Sequence, residues 1–221
     1  MTELLDEAVA LLTGWPAPSA EQDALREGYL AHLREHPDGL WREGPPAHLT
    51  ASCFVLDPTG THALLTLHRK GGFWVQFGGH LEPGDASLAG AALREGVEES
   101  GVPGLQLVTA PGLAPVDLDR HALSAAFGRC REHLDVAFVA LAARDDEPVV
   151  SDESDAVGWW PVDALPDTAV ADLPRRLARV ARAVRQLAGS TDLSAALSSA
   201  PSSAPSSSDI SDPADAATPS R

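Results

Sequence analysis

The apolar residues near the N-terminus recur at helical intervals. The first stripe consists of Leu4, Leu5, Val9, Leu11 and Leu12. The run Trp-Pro-Ala-Pro at 15–18 interrupts it, and Ser-Ala-Glu-Gln at 19–22 then has the form of a capping box that opens a second apolar stripe. We therefore predict two helices in an N-terminal helical extension at 1–47. This extension could serve for packing, for dimer formation or as a lid over a substrate.

From residue 49 the pattern becomes that of strands. Segments 51–56 and 62–68 flank the turn Asp-Pro-Thr-Gly at 57–60, which predicts a hairpin. Further strands are predicted at 73–77, 105–108, 134–141 and 157–160, followed by a helix between 168 and 187. These elements define a domain at 48–188.

The last predicted helix carries five arginines opposite its apolar stripe, which predicts a solvated polar face rather than a binding patch. They are Arg175, Arg176, Arg179, Arg182 and Arg185. Residues 189–221 are rich in Ser, Ala, Pro and Asp and contain few large apolar side chains. Such a segment cannot bury enough surface to offset its ordering entropy, so we predict a disordered tail.

Charge and cysteine content narrow the classes of function. The formal net charge of −16 disfavours binding to a nucleic acid duplex or an anionic membrane. No apolar run approaches the length of a membrane span and the N-terminus is acidic, so we expect a cytoplasmic protein.

Cys53 and Cys130 lie far apart without metal-type spacing, which disfavours a disulfide framework and a cysteine-based zinc site. Cys53 lies in an apolar stretch and is predicted to be a core residue.

Three glutamates, Glu95, Glu98 and Glu99, stand three and four residues apart directly after Arg94. At this spacing their carboxylates share one face of a helix. Like charges raise one another's pKa, so an ordered cluster of this kind suggests a bound cation. Carboxylate oxygens suit Mg²⁺, which usually shares its coordination shell with substrate phosphates. The run therefore predicts a site for phosphate chemistry, the alternative being a solvent-exposed acidic helix face.

The run from Gly79 to Val102 resembles the signature of the Nudix hydrolases. That signature reads Gly, five residues, Glu, seven residues, Arg-Glu, apolar, any, Glu-Glu, any, Gly, apolar, and residues 94–95, 98–99 and 101–102 match it. The resemblance extends over about 48–165. It implies an α/β (α+β) fold, an α/β/α sandwich with a mixed β-sheet. It also implies that Mg²⁺, or in its place Mn²⁺, helps water to attack phosphorus.

The run departs from the signature in three ways, in two residue types and in one spacing. Asp85 stands where the family has its first Glu, and eight residues rather than seven separate it from Arg94. Because Ser87 falls where the motif has its helix N-cap, we place the extra residue in the loop near Ala86, which keeps the helix in register. Gly96 replaces an apolar residue and costs a helix interior about 0.5–1 kcal/mol relative to Ala. A close neighbouring backbone is one reason for a glycine there.

The resemblance also implies roles for individual residues. By position, Glu95, Glu98 and Glu99 are implied Mg²⁺ ligands, and Glu95 is also a candidate base for the attacking water. Arg94 is implied to orient the carboxylates through charge-assisted hydrogen bonds. The carbonyl of Gly78 is expected to add a backbone oxygen to the metal's coordination shell.

Outside this run the candidates are less defined. Glu153, in the loop before two tryptophans, could reach toward the metal or water, or could be a solvated loop acid. His68, His80, His121 and His133 could form a second metal site or be separate loop and surface residues.

The leading prediction is a Mg²⁺-dependent hydrolase that cleaves the pyrophosphate bond of a nucleoside diphosphate linked to another moiety. The alternative is a noncatalytic Nudix-fold nucleotide sensor or interaction module. Retention of all three carboxylates favours the enzyme. The identity of the small nucleotide-type substrate depends on loops near 109–133 and on the N-terminal helices, which carry no readable motif, and a homodimer is possible.

Overall fold

The computed structural model describes residues 3–123, 128–151, 154–189 and 196–199. Four helices occur in these ranges: α1 (Glu3–Gly14), α2 (Ala20–Glu35), α3 (Leu88–Ser100) and α4 (Leu173–Gly189). The strands there are β1 (Ala47–Leu56), β2 (His62–His68), β3 (Phe73–Val75), β4 (Phe77–His80), β5 (Gln106–Val108), β6 (Asp117–Ala122), β7 (Glu132–Leu141), β8 (Ser154–Pro161) and β9 (Leu197–Ser199). Among the described helices, none combines the length and apolar character that a bilayer crossing requires.

The strands form one mixed sheet around a central parallel pair. Its main path is β3-β2-β1-β7-β5-β9, with β4 also paired to β1, β6 to β7 and β8 to β2. β1 and β7 run parallel from Ala47 opposite Glu132 to Leu56 opposite Leu141. The other pairings between described strands are antiparallel. The two central strands are both long and almost wholly buried, which suits the middle of a covered sheet.

Helices cover both faces of this sheet, as the alternation along β1 requires. Leu49, Ala51 and Cys53 join a cluster of buried residues that includes the apolar faces of α1, α2 and α3. Phe54 and Leu56 belong to a second cluster, with α4 on the opposite face. The α/β/α sandwich with a mixed sheet is thus confirmed. Cys53 is fully buried in the core as predicted, and burial raises the pKa of its thiol to about 12.

The predicted strand at 73–77 is in fact two strands with different partners. β3 pairs with β2, whereas β4 pairs with β1, so the chain changes partner at Gln76. β6 was not predicted, because its sequence Asp-Leu-Asp-Arg-His-Ala lacks the apolar alternation of a strand. It forms because β7 offers it a complete antiparallel partner.

The N-terminal helices pack directly on the domain that follows. The buried amide of Gln22 donates to the carbonyl of Leu118 at 2.8 Å and accepts from the N–H of the same residue at 2.7 Å. The hydroxyl of Tyr29 donates to the carbonyl of Asp119 at 2.7 Å. In α1, the carboxylate of Glu7 accepts the N–H of Leu88 at 3.1 Å, at the start of α3. The extension therefore shares one core with the sheet and supports α3.

A short part of the predicted tail adds to the sheet. Residues Leu197–Ser199 form β9 on the edge of β5, and Ala196 is buried. The carbonyl of Ala196 also accepts the N–H of Thr109 at 2.8 Å. At these positions the structure differs from the predicted disorder, because unpaired backbone groups on β5 bind the segment whatever its side chains are. The rest of 190–221 lies outside the described residues.

Candidate active site

The acidic helix α3 begins and ends where the sequence places its caps. The hydroxyl of Ser87 accepts the N–H of Gly90 at 3.0 Å. At the other end Gly101 adopts φ 67°, ψ 12° in the left-handed region, and its N–H donates to the carbonyl of Val97. The extra residue of the motif therefore lies in the loop before Ser87, as predicted, and the helix keeps its register.

Arg94 lies at the centre of the acidic cluster. Its Nη1 donates to Glu95 Oε1 at 2.9 Å and to Glu98 Oε2 at 3.2 Å. Its Nε and Nη2 donate to the two carboxylate oxygens of Asp85, both at 3.0 Å, and Nη2 also donates to the carbonyl of His80 at 3.1 Å. The hydrogen bond with Asp85 raises the pKa of Arg94 further above its usual value. Arg94 thus orients two of the predicted ligand carboxylates.

Asp85 is the residue whose role the sequence left in doubt, and the structure defines it. Its side chain is only 7% exposed, and both of its carboxylate oxygens accept hydrogen bonds from Arg94. One of these oxygens also accepts the N–H of Glu82 at 2.7 Å, which closes the loop before the helix. A shorter acid with one more loop residue therefore reaches the guanidinium, and Asp85 is a positioning residue for Arg94.

We expect Asp85→Asn to lower turnover by about 10–100-fold, the range seen when groups behind metal ligands are lost. The amide keeps the shape of the side chain but removes the charge and one acceptor of the bidentate pair. Turnover measured against Mg²⁺ concentration should show a weaker apparent Mg²⁺ affinity as well. Unchanged turnover and Mg²⁺ dependence would show that Arg94 is held by its other partners.

Two glycines let β4 lie against both β1 and α3. A Cβ on Gly78, where φ is +153°, would stand 2.6 Å from Ser52 Cβ and 2.8 Å from the carbonyl oxygen of Ala51. A Cβ on Gly79 would stand 2.6 Å from Glu95 Oε1. A side chain at position 78 would clash with the backbone of β1, whereas one at position 79 would displace the flexible end of Glu95. Gly78 is therefore required by close approach, and Gly79 leaves room for the carboxylate of Glu95.

Glu99 is the most buried of the three glutamates, and β4 holds it. Its Oε2 accepts the N–H of Gly78 at 3.0 Å. The structure thus brings Gly78, Glu95, Glu98 and Glu99 together where β4 meets α3. The carbonyl of Gly78 as a metal ligand stays a prediction. Glu153 lies outside the described residues, so its proposed reach toward the metal stays a prediction too.

The glycine at position 96 is explained by neighbouring side chains and not by a close neighbouring backbone. A Cβ there would lie 3.1 Å from Leu105 Cδ1 and 3.4 Å from Cys53 Cβ. Both distances are tight, because the helix crosses β1 closely at this point. A residue of low helical propensity is therefore present at this position because a larger one would hold the helix away from the sheet.

A cavity of about 150 Å³ lies beside the sheet, and Glu99 is the one of the three glutamates that lines it. Its lining includes Thr50, Ser52, Gly79, Glu99 and Asp135. The buried carboxylate of Asp135 accepts the hydroxyl of Ser52 at 2.6 Å and that of Thr50 at 3.2 Å. These three polar residues of the lining are therefore held in one hydrogen-bond network.

Arg176 completes that network from the opposite layer, which corrects the prediction that it lies on a solvated face. Its side chain is 3% exposed, and its nitrogens lie 2.6 Å from Asp117 Oδ2, 3.3 Å from Asp135 Oδ2 and 3.4 Å from Asp119 Oδ2. Its guanidinium also stands over the ring of Phe54 at 5.3 Å. The buried carboxylates on β6 and β7 require a positively charged partner, and Arg176 on α4 provides it.

The four histidines, for which the sequence left open a second metal site or separate positions, divide in the structure. His68 lies at the outer end of β2, where its ring stacks on Phe73. His121 Nδ1 lies 2.8 Å from Asp119 Oδ2. Burial opposes protonation of His121, but this hydrogen bond and the charge of Asp135 outweigh it and raise the pKa of the ring. His121 is therefore tied to the acidic network.

His80 and His133 instead come together with His48, which the sequence did not single out, and with Cys130, whose spacing from Cys53 disfavoured a cysteine-based zinc site. One ligand-type atom from each of the four lies within 4.8 Å of all the others. Burial, the ring of His48 and the charge of Arg42 lower the pKa of His80 to about 4. Burial and the neighbouring rings lower the pKa of His133 to about 3. The only signal in the sequence was the presence of His48 and His133 at the starts of two buried strands.

Comparison with known proteins identifies the fold and the family. A profile described as NUDIX domain matches residues 46–181. The structure is similar to that of a NUDIX-family hydrolase from Clostridium perfringens, with 20% identity and a TM-score of 0.50 over 63% of this chain and 97% of that chain. It is also similar to the dihydroneopterin triphosphate pyrophosphohydrolase of E. coli, with 15% identity and a TM-score of 0.50 over 61% of this chain and 95% of that chain. No curated protein matches the chain. At these identities the structural likeness concerns the fold.

Proposed function

This chain belongs to the Nudix hydrolase family, and from that premise we propose that it is a Mg²⁺-dependent pyrophosphohydrolase of nucleoside diphosphates linked to another moiety. Membership of the family makes it an enzyme acting on acid anhydrides in phosphorus-containing compounds. The observation that carries the proposal is the convergence of three glutamates around Arg94 and β4, next to a cavity whose lining includes Glu99.

The donor set of this site fits a hard divalent cation. Glu95, Glu98 and Glu99 would hold Mg²⁺, or Mn²⁺ in its place, with the Gly78 carbonyl as a further oxygen ligand. When bound, such a cation neutralises phosphate charge and increases the acidity of a coordinated water. Softer sulfur or imidazole ligands do not occur among these four residues, so the site suits phosphate chemistry.

Hydrogen bonds within the chain hold the side chains that would take part in the reaction. Asp85 fixes Arg94, and Arg94 holds the carboxylate of Glu95 through Nη1. Glu95 is our candidate to accept the proton of the water that attacks phosphorus, and Glu153 is a second candidate to assist it. The hydroxyls of Thr50 and Ser52, fixed by Asp135, offer polar contacts to the substrate in the cavity. These groups need little rearrangement before the reaction, which favours catalysis.

A panel of substrates tests the proposal. Purified full-length protein would be offered nucleotides, nucleotide sugars, dinucleoside polyphosphates and oxidised nucleoside triphosphates, with products resolved by chromatography. We expect at least one to be cleaved into two phosphorylated products in the presence of Mg²⁺. We also expect no cleavage when Mg²⁺ is omitted from the assay and cleavage to return when Mg²⁺ is added in excess.

The noncatalytic sensor is the other outcome of this test. It is supported if wild type and Glu98→Gln are equally inert on every compound while ligand binding is still measurable by calorimetry. Complete absence of both cleavage and Mg²⁺ uptake, with or without a phosphorylated ligand, would overturn the proposed enzyme.

A further inference from the structure

A second cluster of metal-ligating side chains lies at the end of the sheet, outside the carboxylates of α3. We infer that His48, His80, Cys130 and His133, here called the histidine–cysteine cluster, bind one zinc ion as a structural site. The inference depends on the placement of these four side chains and not on the hydrolytic activity proposed above.

Strand register brings the cluster together. In the parallel pairing of β1 and β7, His48 stands opposite His133, so their side chains project from the same face of the sheet. His80 ends β4 opposite Thr50, two residues further along β1 and therefore on that same face. Cys130 lies in the turn just before β7. Three segments that are distant in sequence thus converge at one point.

The distances approach those of a tetrahedral site. The rings of His48, His80 and His133 form a nearly equilateral triangle, with centroid separations of 5.1, 5.4 and 5.1 Å. Cys130 Sγ lies 3.8 Å from His80 Nε2. Ligand atoms around tetrahedral Zn²⁺ stand about 3.3–3.6 Å apart, so side-chain shifts of about an ångström would complete the shell.

Hydrogen bonding leaves two ring nitrogens for a metal. His48 is fully buried, and its Nδ1 lies 3.1 Å from the carbonyl oxygen of Pro45. Since a carbonyl can only accept, Nδ1 carries the proton and Nε2 carries a lone pair. That Nε2 is buried and has no hydrogen-bond partner among the described residues, and the same is true of His133 Nε2. A backbone carbonyl that orients the far nitrogen is the usual support of a metal-binding histidine.

The donor chemistry favours zinc over the cation of the acidic helix. Three imidazole nitrogens and one thiolate are ligands of intermediate softness, which Zn²⁺ prefers, whereas Mg²⁺ prefers oxygen. Four protein ligands also fill a tetrahedral shell and leave no open position, so the ion would be structural rather than catalytic. The cluster and α3 therefore hold different kinds of metal.

A zinc ion here would stabilise the strand ends beside the candidate active site. It would join the start of β1, the end of β4 and the turn before β7. His80 also offers its backbone carbonyl to Arg94 Nη2 at 3.1 Å, and it directly follows Gly79. Zinc would thereby fix the strand end against which the acidic helix is oriented.

Metal analysis of full-length protein without a histidine tag tests the inference. We expect one zinc ion per chain by mass spectrometry after reconstitution and gel filtration. Co²⁺ in its place should give the intense visible absorption of tetrahedral cobalt and a near-ultraviolet thiolate-to-cobalt band. Zinc at about 100 times its dissociation constant should raise the melting temperature by about 5–10 °C over the metal-free protein.

Variants assign the ligands. Cys130→Ser should remove the thiolate band and weaken zinc binding by at least about 100-fold in competition with a chromophoric chelator. His121→Asn is the matched control, because its ring lies 5.4 Å from that of His133 but is bound to Asp119 instead, and it should keep one zinc per chain. Glu98→Gln should keep its zinc as well, which separates this site from the hydrolytic one.

The inference is overturned if the reconstituted wild type holds less than about 0.1 zinc per chain. It is also overturned if Cys130→Ser binds zinc as tightly as the wild type. Should that variant fail to fold, the cobalt spectrum of the wild type decides alone, because an octahedral spectrum without a thiolate band excludes the four ligands.

Discussion

Replacing Glu98 with Gln should lower turnover by about 10³-fold or more while the fold is retained. The change removes one of three carboxylates that would hold the cation, and metal-assisted charge stabilisation is worth several kcal/mol in the transition state. Stability should hardly change, because the side chain is 60% exposed and exposed ion pairs contribute about 0–1 kcal/mol. Steady-state kinetics, Mg²⁺ calorimetry and thermal unfolding would measure the three effects.

The chain offers a matched control in Glu82. Its side chain is 65% exposed and, like that of Glu98, approaches Arg94 Nη1, at 3.9 Å compared with 3.2 Å. It lies outside the predicted ligand set, so Glu82→Gln should change turnover by less than about threefold. Similar losses in the two variants would mean that disturbance of Arg94, and not loss of a ligand, causes the effect. Near-normal activity of Glu98→Gln would refute its assignment as a ligand.

Replacing Arg176 with Met should lower the free energy of unfolding by about 3–5 kcal/mol, the cost of leaving buried charges without their partner. Asp117 and Asp135 would both lose their buried cation, and Arg179, which also contacts Asp117, is only partly buried. Urea denaturation at neutral pH would measure the loss. A further change of Asp117 to Asn in this variant should recover part of it, since one of the uncompensated charges is then removed.

The neighbouring Arg175 provides the control for this prediction. It lies on the same helix, but its side chain is 60% exposed and its ion pair with Glu21 is at the surface. Arg175→Met should therefore change stability by no more than about 0.5 kcal/mol. A loss below about 1 kcal/mol in Arg176→Met would show that water or side-chain movement compensates the buried acids.

The sequence was most informative where chemistry and local structure depend on the same short segment. Ser87, Gly101 and the spacing between Arg94 and Glu98 lie within one helix and its caps, so their geometry follows from helical periodicity alone. The strands of the first hairpin and the apolar stripes of the helices were likewise predicted from patterns within short segments. The unusual spacing before Ser87 was also predicted correctly, because an extra residue in a loop costs less than a shifted helix.

Prediction was weaker where a residue's environment comes from distant segments. Arg176 reads as one of several equivalent arginines on α4, yet it is buried against the acids of both β6 and β7, and Arg179 also contacts Asp117. The sequence did not identify Asp85 as the partner of Arg94, because the loop between them brings the two side chains together. β6 has no apolar alternation, since it exists through pairing with β7.

By itself, the sequence determined the family and the acidic helix with its caps, because both depend on residues a few positions apart, and the family resemblance implied the layered fold. Only the tertiary structure decided which polar side chains meet. The parallel register of β1 and β7 places His48 beside His133 and Asp135 beside Thr50. Strand register is set by the packing of the whole sheet, so no local pattern could reveal either the histidine–cysteine cluster or the buried partners of Arg176.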